Sequence, residues 1–76
     1  MYKRIRDLRE EKDLSQKQIS TYLICDQSLY SKYELGKREI PLNIIIKLAD
    51  FYQTSIDYII ERTDEKAPYP KFGINP

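Results

Sequence analysis

At 76 residues and a formal charge of +1, with one cysteine and no histidine, the chain makes a single small domain, of a size that buries only about 60% of the surface its unfolded form exposes. Lone Cys25 excludes an internal disulfide framework, and the missing histidines exclude the common zinc sites and the histidine-based triads. No apolar run approaches the roughly 18 residues of a membrane span, and the scattered carboxylates come with neither a glycine-rich loop nor a suggestively spaced partner, so no catalysis, cofactor or membrane role is expected.

Met1, Tyr2, Ile5 and Leu8 recur at helical spacing, which predicts an amphipathic first helix over residues 2–12, closed by Asp13-Leu14. Ser15 and Gln18 have the spacing of a capping box and open a second helix at about 16–23, burying Ile19 and Leu23. Ile24-Cys25 is a turn, Asp26 an N-cap, and the third helix runs to about Leu35, where Gly36 stops it. Pro41 fits the first turn of a fourth helix, whose Leu42, Ile45, Ile46, Leu48, Ala49, Phe51 and Tyr52 make it the most apolar element. Ser55 caps a short fifth helix with Asp57 in its first turn and Ile56, Ile59 and Ile60 on its buried face. There is no strand signal, so the fold class is all-α, a compact five-helix domain over residues 1–62.

Past Arg62 the sequence TDEKAPYPKFGINP holds three prolines and a glycine and cannot continue as helix. It reads as a disordered tail, or, given Tyr69, Phe72 and Ile74, as a segment that lies across the domain or reaches a partner. Charge is unevenly spread. Residues 1–38 hold nine Lys/Arg against six Asp/Glu, and residues 39–76 hold four against six, so the N-terminal half is the better face for an anion.

With Asp26 at zero and about 100° per residue, Leu29, Tyr30 and Tyr33 gather on one side of the third helix. Gln27, Ser28, Ser31 and Lys32 gather on the other, a row with one cation and no anion. Such a row is either an ordinary solvated face or a set of base-edge contacts: Gln bonds adenine N6 and N7, Ser bonds several edges, and Lys favours guanine or a phosphate. Two helices joined by a short turn form a helix-turn-helix, in which the first crosses the DNA backbone and the second enters the groove by its N-terminal residues. Here the first of the pair opens with Ser15-Gln16-Lys17, suited to a phosphate. Lys37 and Arg38 follow the second, where the duplex backbone would pass.

The segments LREEKDLSQKQIS, YSKYELGKREIPL and KLADFYQTSIDYII resemble the lambda-repressor-like, XRE-type helix-turn-helix family over about residues 4–60. The resemblance implies a five-helix DNA-binding domain acting as a homodimer on double-stranded DNA, a transcriptional regulator, expectedly a repressor; the lone cysteine and the lack of a signal peptide or apolar span make a reducing cytoplasm the expected location. Carried across by position, it makes Gln16 a phosphate contact beside Lys17, with Lys37 and Arg38 phosphate contacts again. It makes Gln27, Ser28 and Lys32 base contacts, with Ser31 beside them, and implies an ion pair between Arg9 and Glu34.

Several positions depart from the family pattern. Ile24 stands where glycine is usual in the turn, which bends that turn differently. Leu35 replaces a polar residue on the outward side, Tyr30 replaces a smaller aliphatic, and Ser20 stands for a small apolar residue. Cys25 reads as a packed, inert thiol. Two other functions remain open on the near-neutral charge, outward Leu35 and aromatic tail: a protein-interaction module that has lost DNA binding, or an antitoxin-type regulator using its tail to hold a protein.

Overall fold

The computed structural model describes residues 3–68, and among these all regular structure is helical. Five helices follow in order: α1 (Lys3–Glu11), α2 (Gln16–Leu23), α3 (Gln27–Leu35), α4 (Leu42–Tyr52) and α5 (Ile56–Ile59). Met1 and Tyr2, expected on the first helix, lie outside the described residues, as do Tyr69, Phe72 and Ile74 of the tail.

Local chemistry sets the helix starts. Ser15 Oγ accepts from the Gln18 amide at 3.0 Å while the Gln18 side chain accepts from the Ser15 amide at 2.8 Å, both halves of the capping box. Asp26 accepts from the Ser28 amide at 3.1 Å, and Ser55 from that of Tyr58 at 3.0 Å. Pro41 sits one position earlier than expected, at the N-cap of α4 with ψ 148° rather than inside the first turn. Its carbonyl accepts the amides of Ile44 and Ile45, so the helix begins without a side-chain cap.

The helix ends share one device. Just past each helix an amide reaches back five residues, from Leu14 to Arg9, Cys25 to Ser20, Lys37 to Lys32, Thr54 to Ala49 and Arg62 to Asp57. This closure puts the preceding residue in the left-handed region. Only one of those five is glycine, Gly36; the others are Asp13, Ile24, Gln53 and Glu61. Ile24, at φ 56° and ψ 48°, is the costly case, because a β-branched side chain crowds its own backbone there. It is also 85% exposed and recovers little by packing.

The core gathers Ile5 and Leu8 of α1, Ile19 and Leu23 of α2, Tyr30 and Tyr33 of α3, and Ile44, Ile45, Leu48, Ala49 and Tyr52 of α4, with Ile40 and Ile59. α4 is turned differently from the sequence expectation. Ile44 is buried, whereas Leu42 and Ile46 are 63% and 41% exposed. Its buried residues occupy one side of the helical wheel, and Leu42 and Ile46, at about 0° and 40° from Leu42, fall beyond its edge. In the short α5 only Ile59 is fully buried, with Ile56 and Ile60 packed at the margin.

A buried ion pair ties the first three helices. Arg9 Nε donates to Glu34 Oε2 at 2.7 Å and Arg9 Nη2 to Glu34 Oε1 at 3.2 Å. The third Arg9 nitrogen, Nη1, donates to the Leu14 carbonyl at 2.8 Å, bracing the turn into α2. Gln16 Nε2 adds a bond to Glu34 Oε1 at 3.0 Å. The side chains of Arg9 and Glu34 are only 12% and 4% exposed. Burial alone would raise the Glu34 pKa, but the bonds from Arg9 and Gln16, with the Tyr30 hydroxyl alongside, bring it below its ordinary value. Burial, with Glu34 adjacent, pushes the Tyr30 hydroxyl well above the usual tyrosine range, and that hydroxyl closes no hydrogen bond among the described residues.

Past α5 the chain turns back over the domain. Arg4 donates to the carbonyls of Tyr58 and Thr63 at 2.9 and 2.5 Å and to Asp64 at 2.7 Å, while its guanidinium lies 4.2 Å from the Tyr58 ring centre. Thr54 Oγ1 donates to the Lys66 carbonyl at 2.6 Å, and Lys66 pairs with Glu11 at 2.7 Å.

Replacing Ile24 by glycine removes the steric cost of the left-handed turn and is expected to raise stability by about 1 kcal/mol, read as a higher thermal midpoint; a lower midpoint contradicts the strain. Arg9→Ala strands a buried carboxylate and is expected to cost about 3 kcal/mol in denaturant unfolding, with the paired Arg9→Met and Glu34→Met changes recovering most of it. Because the folded Glu34 pKa is lowered from 4.5, its contribution is full above that pH and fades as pH falls through the folded value. The acid limb of the stability profile should therefore be flatter in Glu34→Gln than in the parent chain; parallel limbs would disprove this.

Candidate nucleic-acid interface

The residues expected to touch DNA lie on α2, α3 and the loop after α3. α3 packs on α2 and α1, and its inward side is fixed by size: Tyr30 is fully buried, Tyr33 is 5% exposed, and Leu29 packs at the core margin. The opposite side is therefore turned out, where Gln27, Ser28 and Lys32 are exposed and Ser31 is half-buried. Gln16, Asp26, Gln27, Ser28 and Ser31 together line an open depression of about 380 Å³ between the two helices.

Lys17 is exposed on the first turn of α2, and Lys37 and Arg38 are exposed just beyond Gly36. None of these three makes an ion pair among the described residues, so their charge is uncommitted. Gln16 is half-buried and its amide nitrogen is already given to Glu34. Such a side chain is aimed by the buried pair, with its oxygen and one N–H still available.

Two features modify the sequence expectation. The row on α3 is not free of anions, because Asp26 shares the wall of the depression with Gln27 and Ser28. Its carboxylate takes both the amide and the hydroxyl of Ser28, and these bonds hold its pKa below the usual carboxylate range. The signal was present in the sequence: a cap residue of a helix that presents its N-terminal end shares that end's surface. The Ser28 hydroxyl, for its part, gives its proton to Asp26 and turns only lone pairs outward.

Elsewhere around the turn, Ser20 is buried and donates to the Lys17 carbonyl at 3.0 Å, which lets a hydroxyl fill an apolar position. Cys25 is half-buried, and burial pushes its thiol pKa up, away from a reactive thiolate. Leu35 is 55% exposed at the end of α3.

No group of histidine, cysteine and carboxylate residues suited to a metal ion occurs among the described residues, and no helix there is long and apolar enough to cross a membrane. The exposed polar row of α3 is thus preceded in the chain by Lys17 and followed by Lys37 and Arg38, cations of the type that contact phosphates.

Comparisons with known proteins agree on the architecture. The Bacillus subtilis protein YobD, named an uncharacterized HTH-type transcriptional regulator, is 34% identical over 65 residues, covering 86% of this chain and 58% of that protein. The cryptic phage CTXphi transcriptional repressor RstR of Vibrio cholerae is 33% identical over 61 residues, 80% of this chain and 55% of the relative. An SPbeta prophage-derived uncharacterized HTH-type transcriptional regulator of Bacillus subtilis, YonR, is 32% identical over 60 residues, 79% of this chain and 56% of its own length. The chain thus spans little more than half the length of these relatives. No solved structure gives a significant match. A family model described as helix-turn-helix matches residues 5–59, nearly the whole five-helix body. With that match and this helix order, the chain belongs to the lambda-repressor-like helix-turn-helix family.

Proposed function

We propose that the chain is the DNA-binding part of a cytoplasmic transcriptional regulator, a repressor, that binds operator DNA as a homodimer without catalysis. Residues 1–62 form the binding unit, and the start of the 63–76 tail is held against it by the bonds of Thr63, Asp64 and Lys66 to Arg4, Thr54 and Glu11. The observation that carries the reading is the division of α3: its tyrosines fill the core, and Gln27, Ser28 and Lys32 stand exposed on the other side. The relatives named as transcriptional regulators and a repressor support the same reading.

In this function α3 lies in the major groove by its N-terminal end. Gln27, Ser28, Ser31 and Lys32 face base edges, and each good bidentate contact discriminates by about 1–3 kcal/mol. Gln16, Lys17, Lys37 and Arg38 meet phosphates on both sides and set the register. Few cations per subunit make the affinity modest and salt-sensitive. In a dimer the two recognition helices sit about 34 Å apart on one face of the duplex.

Selection of bound sequences from a random duplex pool at two salt concentrations tests the reading. A palindromic motif with half-sites about 10 base pairs apart is expected; no enrichment at either salt favours a protein-interaction module with the same fold. Gln27→Ala should erase the preference at one position per half-site while leaving binding to unrelated duplex intact, and equal weakening on every sequence would show that Gln27 reads no base. Removing the charges of Lys37 and Arg38 together should lower the slope of log affinity against log salt by about 0.9 for each phosphate no longer neutralised. An unaltered slope would exclude the phosphate role.

A further inference from the structure

Asp26 is an unexpected residue on a surface that meets polyanionic DNA, since a bare carboxylate there is repelled by phosphates. Its capping duty does not require the charge, because Ser and Asn cap about as well. Its neighbour sharpens the question. Ser28 ordinarily offers a base either a donor or an acceptor, but here its single proton goes to Asp26 Oδ2, which also takes the Ser28 amide at 3.1 Å. The carboxylate stays ionised at neutral pH and donates nothing. Asp26 and Ser28 therefore present a paired surface of acceptors on the wall of the depression between α2 and α3, whose other lining residues, Gln27 next to them and Gln16 and Ser31, keep groups able to donate.

In the major groove the bases divide by what they offer. Guanine shows two acceptors and thymine an acceptor and a methyl group, so both oppose an acceptor-only surface. Cytosine shows a lone N4 amine donor. Adenine shows an N6 amine beside the N7 acceptor, a pair that suits the mixed amide of Gln27. Resting on the function proposed above, we infer that Asp26, with Ser28 locked beside it, is a specificity-determining residue that accepts from the N4 amine of cytosine and rejects guanine and thymine at one position of each half-site.

The test compares sequences selected from a random duplex pool by the parent chain, Asp26→Asn and Asp26→Ser, each first shown by thermal melting to keep the parent's midpoint. The parent is expected to enrich cytosine at one position per half-site. Both variants, which regain a donor, should lose that preference by about fivefold or more while other positions keep theirs. A parent motif that survives both substitutions, with only uniformly tighter binding as a repelling charge is lost, overturns the inference and leaves the function standing. Adenine in place of cytosine at the affected position overturns the assignment of the base. A parent chain that enriches nothing removes the function and this inference together.

Discussion

The buried bond between Arg9 and Glu34 is the constraint on which the arrangement of this small domain depends. A guanidinium has its donors in a rigid fork, and here the donors reach two parts of the fold: two bonds go to Glu34 on α3 and one to the Leu14 carbonyl in the turn before α2. Glu34 in turn holds Gln16 on the first turn of α2. Three helices are thus indexed by one carboxylate. Hydrophobic packing of Tyr30, Tyr33 and Leu23 supplies most of the cohesion and turns the tyrosine side of α3 inward, and the ion pair adds directional bonds that tie the C-terminal part of α3 to α1.

That indexing matters because the helices are short. Eight- and nine-residue helices are marginal in isolation, and α2 and α3 are positioned by their caps, by the turn between them and by what lies beneath. The turn is bought with strain at Ile24, a left-handed β-branched residue with its side chain in solvent. The same backward-reaching amide closes all five helices, so the domain makes its tight corners by one backbone device and tolerates poor residues for it in four of five cases.

Much of this was legible in the residues. Caps at Ser15, Asp26 and Ser55, the stop at Gly36 and the inward tyrosines of α3 follow from local rules of hydrogen bonding and period, and they appear in the fold at the positions those rules give. The burial of α4 was less legible. A helix with apolar residues nearly all round does not declare which of Leu42, Ile44 and Ile46 faces the core; packing against α2 and α5 decides it, and neither neighbour is set by local sequence. Asp26 is a different case: its place on the N-terminal surface of α3 follows from its role as cap, but the surrender of the Ser28 proton to its carboxylate needs the folded geometry. The tie of Gln16 to Glu34 likewise needs three helices in place.

We propose that the exposed side of α3, above the Arg9–Glu34 pair, is the surface that meets the duplex. Amide chemical-shift mapping during titration with double-stranded DNA reads that surface residue by residue. Shifts are expected to begin and remain largest at Gln16-Lys17, Gln27–Lys32 and Lys37-Arg38, with Leu42 and Ile46 on the outer edge of α4 unmoved. Shifts centred on α4, with the amides of residues 27–32 unchanged at saturation, would contradict it.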